Sequence, residues 1–487
     1  MPVLEKLEPQ EVLRFFEILS DIPRGSENEQ QVADWVVAFA RERGLTAFQD
    51  AAHCVVVRKP GQGGLEDAPT LILHGHLDMV CAKDEGVEID FLTEPIRLVV
   101  DGDFIRADGT SLGADNGIGV SYILALLDTT DLPHPPLEAV LTAMEEKGKV
   151  GAGQFDTSVL TGTRMIDFNW ITDTEILAGC SGDVTFLVDI PGEFQAVPSE
   201  LSATRSVQVR GLLGGHCEFD IHLERANAIQ LVARVLNTVL ARYPARISGL
   251  VGGTQNSAIP ADAEVVLSLR PQDVTGVETL ITDLADVLHA EYERAGDAIR
   301  IEVAETGAPA KAFGAAATAR FARLTALIPN GVLSWSLLTP GVVESSNNLG
   351  TLRPTEDGVR LASTITAQVT SRKHEILQRA EVLAALAGGG VTVQQFGLDA
   401  PEFPYQRDSG LLRTAAEAYR DVIGSEPDIH VSQCSLELGM FSRKIPGLEI
   451  ISIGTELHAL HSPLEKVNHT SVARVWPLVR EVVGRLR

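Results

Sequence analysis

Leu73-His74-Gly75-His76-Leu77-Asp78-Met79-Val80 ends a run of β-type apolar residues with two histidines and an aspartate. Two other stretches share its character. Gly113-Ala114-Asp115-Asn116-Gly117 opens a helical pattern, and Met144-Glu145-Glu146-Lys147-Gly148 follows the apolar run Ala139–Ala143. An open α/β sheet collects its chemistry at the carboxyl ends of its strands. The three stretches therefore predict an α/β domain with its reactive side chains gathered on one edge. A histidine, a lone aspartate and a glutamate pair are the parts of a two-metal hydrolytic centre. Leu460-His461-Ser462-Pro463 adds a histidine near the far end of the chain.

Outward from these stretches, the first 50 residues predict two helices. One runs from Pro9 to Ser20, with Val12, Phe15, Phe16 and Leu19 at helical spacing. The other opens on the capping box Ser26-Glu27-Asn28-Glu29 and stops at Gly44. Strands are expected at Cys54–Arg58, Thr70–His74 and Ala139–Ala143, and a helix over Asp115–Leu127. Near Ser206 the texture changes. Strands are expected at Ser206–Val209, Ala263–Leu269 and Ala298–Glu305, and helices at His222–Leu240 and Val277–Ala295. Thr306–Ala317 and Ala384–Gly390 read as loop or linker. The tail returns to the opening pattern, with a helix at Leu411–Val422, strands near His430 and at Glu449–Ile453, and a closing helix from Ser471. The expected fold is a catalytic α/β domain with a mixed central sheet flanked by helices, plus an inserted α+β lid. Residues 1–195 and 396–487 form the catalytic domain, and 196–395 the lid.

A chain of 487 residues is too long for one ordinary core. Its net charge of −26 argues against nucleic acid or an anionic membrane surface as a partner. No stretch approaches the roughly 18 apolar residues of a membrane span, and no secretory signal is visible at the N-terminus. Cys54, Cys81, Cys180, Cys217 and Cys434 are odd in number and scattered, which predicts a reducing, cytoplasmic setting.

His76 and Asp78, two apart after a strand, share a face if the chain stays extended. Alone they fit a polar loop after a buried strand better than a metal site. Glu145 and Glu146, if extended, point to opposite sides, so that one can bind metal while the other faces substrate as a base. Asp115 in a first helical turn reads as a ligand kept ionised by the helix dipole, or as a plain cap. Four such pieces at the ends of elements point to a metal site more strongly than any one of them.

Taken with Leu112–Gly119, Ile176–Gly182, Gly214-Gly215-His216, Gly341–Ser346 and His461-Ser462-Pro463, these motifs make the chain resemble the aminoacyl-histidine dipeptidases over nearly its whole length. These are cytosolic X-His dipeptidases among the co-catalytic zinc peptidases. The resemblance implies two zinc ions, with manganese or cobalt as alternatives. Asp115 would bridge them, His76 would hold one, and Glu146 with His461 the other. Asp78 would orient the His76 side, and Glu145 would be the general base and acid. His216 would stabilise the oxyanion, and a homodimer through the lid is expected.

The chain departs from the family pattern at three places. Asn169 stands where the family's Asn-x-Asp carries its last ligand, which leaves open whether Asn169, Asp167 or the remoter Asp173 completes the site. Ser257-Ala258-Ile259-Pro260 replaces Asn-Ala-Ile-Pro, with Asn256 at a position of arginine. Cys217-Glu218 follows Gly-Gly-His in place of smaller residues. The expected function is metal-dependent hydrolysis of small peptides, X-His or broader. The alternatives are an impaired paralogue that binds metal or peptide without turnover, and an amidohydrolase of N-acyl amino acids.

Overall fold

A computed structural model describes residues 2–307 and 309–487. By contacts the chain divides into two units. The first comprises Met1–Cys180, Glu402–Ser432 and Leu436–Arg487, and the second Ser181–Pro401 with Gln433–Ser435. The expected boundaries at 195 and 395 both fall inside the second unit. Each unit is mixed α/β with its own apolar core.

The core of the first unit is built on Val-, Leu- and Ile-rich strands buried on both faces, which read as continuous apolar runs. Thr46–Gln49 and Val55–Lys59 lead antiparallel into Leu137–Thr142. Leu71–His76 then pairs in parallel with both Leu137–Thr142 and Arg164–Trp170, and Glu449–Gly454 continues the parallel set. Four neighbouring strands thus end on the same edge, and His76, the Met144–Glu146 segment and Asn169 sit at or just beyond those ends. Gln10–Ser20, Gln30–Glu42, Ala114–Asp128, Gly410–Ile423 and His469–Arg485 are its main helices. Gly75 is needed where it stands, because a Cβ there would lie 2.5 Å from Asn116 Oδ1.

The second unit is an antiparallel sheet in the order 182–191, Gly358–Ala367, Val343–Pro354, Ala245–Gly252, Ala263–Leu269, Ala203–Arg210, Arg300–Glu305. Ala228–Leu240, Val274–Tyr292, Ala315–Leu327 and Thr370–Ala387 are its main helices.

Three local expectations are corrected. Ser26 does not cap the second helix, which begins at Gln30. Its hydroxyl donates to Asp78 Oδ2 at 2.8 Å, and Glu29 Oε1 accepts from the Met144 N–H at 3.0 Å. The capping-box residues therefore serve the site rather than the helix. The helix expected from His222 starts at Ala228, where Asn227 Oδ1 accepts from Ile229 and Gln230. Thr306–Ala317 is not linker throughout, since Ala315 opens a helix whose apolar side is buried.

Candidate metal centre

His76 ends its strand with the ring fully buried. Its Nδ1 lies 3.1 Å from the Asp78 carbonyl oxygen. A carbonyl only accepts, so Nδ1 carries the hydrogen and Nε2 is the ligand-type nitrogen. That Nε2 faces Asp115 Oδ1 at 3.1 Å, while the other oxygen, Asp115 Oδ2, stands 3.3 Å from His461 Nε2. His461 Nε2 is also 2.9 Å from Glu146 Oε1, a buried atom with no hydrogen bond of good geometry. One ligand atom each from His76, Asp115 and Glu146 fall within 4.8 Å of one another.

Asp115 lies two residues after the N-cap Gly113, whose φ of 70° is left-handed. Asp78 does more than accompany His76. Its Oδ1 accepts the Glu145 N–H at 3.0 Å and its Oδ2 the Glu146 N–H at 3.2 Å, so it holds the glutamate pair by its backbone. Strand alternation does not separate the two glutamates, because the strand stops at Thr142 and Met144 has a φ of 52°. Glu145 and Glu146 occupy a turn, and the Asp78 clamp sets their directions.

Burial and neighbouring charges shift His461, His76, Asp115 and Glu145. His461 is raised to about 10 by its contacts with Asp115 and Glu146. Burial acts against the charge of His76, yet Asp115 and Asp78 lift it well above the usual imidazole range. Burial alone would raise Asp115, but His461 and His76 hold it well below the usual carboxylate range. Glu145 is pushed up to about 8, first by burial and then by the charges of Glu437 and Glu146. A proton on each histidine takes the place a bound cation would fill. Two imidazoles and two carboxylates, one of them shared, form a donor set of the kind that binds zinc.

Asn169, Asp167 and Asp173 differ in what each already holds. Asp167 Oδ1 sits 2.8 Å from His74 Nδ1, and its Oδ2 accepts from the Asn169 N–H at 3.1 Å and from the Ser452 hydroxyl. Asp173 accepts from Arg474 Nε at 2.9 Å. Asn169 Oδ1 accepts from Asn116 Nδ2 at 2.8 Å, and Asn116 Oδ1 in turn accepts from the His76 N–H at 3.2 Å. Asn169 is therefore the one of the three wired to the His76 side.

In the second unit His216 belongs to the short pair Gly215–His216 and Ala258–Ile259. Its N–H donates to Asp220 Oδ2 at 2.8 Å, and its Nδ1 accepts from the Glu218 N–H at 3.2 Å. With Nδ1 accepting, the ring's donor nitrogen is Nε2. Asn256 uses its side-chain oxygen to accept from the Thr351 hydroxyl at 3.0 Å.

Residues 72–483 match the peptidase family M20/M25/M40. The chain belongs to that family. It is 30% identical over 486 residues to the cytosol non-specific dipeptidase of Escherichia coli (strain K12), covering 100% of this chain and 99% of that protein. The crystal structure of the aminoacylhistidine dipeptidase from Vibrio alginolyticus matches with a TM-score of 0.89 and 30% identity, covering 99% of this chain and 98% of that one. Aminopeptidase PepT from Bacillus cereus ATCC 10987 shares the fold, with a TM-score of 0.57 and 13% identity over 99% of each chain. The M20 chain thus belongs to a hydrolase family with dipeptidases among its full-length relatives. No helix among its described residues is long and apolar enough to cross a membrane.

Sequence reasoning missed Arg24, Glu437 and Glu465. Glu465 carried a faint signal, as an acidic residue in the His461 loop. Arg24 and Glu437 carried none.

Proposed function

We propose that this M20 chain is a cytoplasmic, homodimeric dipeptidase that cleaves X-His or a broader set of dipeptides at a two-zinc centre. The observation that carries the reading is the Asp115 carboxylate shared between His76 and His461, with Glu146 beside it. His76 and Asp115 would hold one ion, with Asn169 as the further ligand on that side. Asp115, Glu146 and His461 would hold the other. The bound cations would acidify a water and polarise the scissile carbonyl.

Glu145 takes a proton from the attacking water and returns it to the leaving amine nitrogen, so one water is consumed for each C–N bond broken. Its burial suits a group that must both accept and give a proton near neutral pH. Asp78 keeps that carboxylate aimed through the Glu145 backbone. His216, of this chain or of the second copy in the homodimer, would offer its Nε2–H to the developing oxyanion.

The test is a panel of X-His and other dipeptides with metal-stripped protein, reloaded with zinc or manganese, and with Glu145→Gln as the control. Turnover that returns with metal and falls about 10²–10⁴-fold in the variant supports the reading. Turnover unaffected by Glu145→Gln would sink it. A second reading, an impaired paralogue, is favoured by Asn169 in place of a third carboxylate. Folded, metal-loaded protein that cleaves nothing on the panel would establish it.

A further inference from the structure

We propose that Glu465, together with Arg24, is the positioning residue that sets where the shared Asp115 carboxylate stands. The inference rests on the metal-centre reading above. Glu465 is 2% exposed and lies four residues beyond His461 in the same loop. Its Oε2 accepts the N–H groups of Leu112 at 2.8 Å and Gly113 at 3.0 Å, and its Oε1 accepts the Asp115 N–H at 3.2 Å. One carboxylate thus ties the loop that carries His461 to the backbone that presents Asp115.

Arg24, also 2% exposed, closes the other side. Its Nη1 donates to the carbonyls of Leu77 at 2.9 Å and Asp78 at 3.3 Å, and its Nη2 to the carbonyl of Gly113. The Asp78 carbonyl is the same atom that orients the His76 ring. Gly113 is required at this junction, because a Cβ there would lie 2.7 Å from Arg24 Nη2. Three segments distant in sequence, carrying His76, Asp115 and His461, are therefore joined through two buried charged side chains.

Stability alone does not account for this pair. Removing a carboxylate and a guanidinium from water costs several kcal/mol each, and apolar residues of similar volume serve a core at least as well. The cost of burying Arg24 is opposed first of all by the charge of Glu465. Both spend their hydrogen bonds on the backbone of the ligand loops. That pattern fits groups that orient ligands and do not themselves react.

The experiment is zinc titration of the metal-stripped full-length protein against a chromophoric competitor. It is run on the wild type, Glu465→Gln and Arg24→Lys, with urea unfolding alongside. Glu465→Gln keeps the volume but turns an amide N–H₂ toward backbone donors on one side. Arg24→Lys keeps the charge but cannot span both loops. The expected result is a 10- to 100-fold loss of zinc affinity in each folded variant. Turnover should recover when zinc is raised to saturation. Folded variants with wild-type affinity overturn the inference while leaving the metal centre intact, and so do variants that simply fail to fold. A wild type that binds no zinc overturns both.

Discussion

Behind His76 the strand carries a second buried imidazole, His74, whose charge the structure makes testable through stability. Its Nδ1 is 2.8 Å from Asp167 Oδ1 and its Nε2 3.2 Å from Glu437 Oε1, and all three side chains are at most 3% exposed. Burial opposes a charged ring there, but Glu437 and Asp167 outweigh it and raise His74 to about 9. In the unfolded chain a histidine releases its proton near about 6.5. The folded state therefore holds one more proton between those values. The stabilisation is fully present below about pH 6.5 and is lost as pH rises through about 9. Each tenfold gain in proton affinity on folding is worth about 1.4 kcal/mol, so the group contributes roughly 3 kcal/mol at the low end of that window. The perturbation is His74→Gln, which keeps a donor for Asp167 but cannot be protonated. The assay is urea unfolding of metal-stripped wild type and variant from about pH 6 to about pH 9.5. His76 and His461, raised in the same direction, titrate in both proteins and cancel in the difference. The wild-type advantage should be largest near pH 6 and shrink by roughly 3 kcal/mol by about pH 9.5. An advantage that does not change with pH would mean that His74 is neutral in the fold, and the ionic account of this network would be wrong.

Asn169→Asp supplies the His76 side with a second carboxylate without disturbing the oxygen that Asn116 already holds. A unit charge pair about 4 Å apart is worth about 4 kcal/mol at an effective dielectric near 20, before desolvation is set against it. Zinc affinity should therefore rise by roughly tenfold to a thousandfold, and competitive titration that finds it unchanged or weakened would exclude Asn169 from that side. His216→Ala should lower turnover about 10²–10³-fold with metal content unchanged, as expected for loss of one oxyanion donor. A wild-type rate would remove His216 from the chemistry. Asp78→Asn places an amide N–H₂ against the N–H of Glu145 or of Glu146. It should reduce kcat by about 10- to 100-fold, and a change confined to KM would show that the clamp does not aim the base.

What was legible in the chain followed from local physics. The parallel strands could be read because burial on both faces makes them short apolar runs. His76, Asp115, Glu146 and His461 could be read because reactive groups crowd the ends of such runs. The structure brings all four together within the first unit. Elements that depend on distant partners escaped. The hairpin formed by Val343–Pro354 and Gly358–Ala367 is not among the expected strands, and it carries Ser345, Ser346, Asn347 and Asn348, polar residues that are all buried. Ser26 and Glu29 satisfied a capping pattern but bond to groups on segments 50 residues or more away. Arg24 and Glu465 bond to backbone atoms 53 to 353 residues distant, and no local pattern encodes such a pairing.

The pair Asp167 and Asn169 shows most directly why residue identity at a position falls short of a ligand assignment. The two side chains are two residues apart on one strand, and by charge alone Asp167 is the better metal ligand. Its oxygens, however, are engaged by His74, Ser452 and the Asn169 N–H, and a carboxylate that left them would strand a buried imidazolium. Breaking such a buried pair costs about 3–5 kcal/mol. Asn169 has the weaker donor but the open connection, through Asn116 to the backbone of His76. The negative charge on this strand is thus spent on His74, while the neutral Asn169 oxygen is held by Asn116. Restoring a carboxylate at 169 and neutralising 74 are accordingly separate experiments, since they act on two hydrogen-bond networks joined by the Asn169 N–H on Asp167 Oδ2.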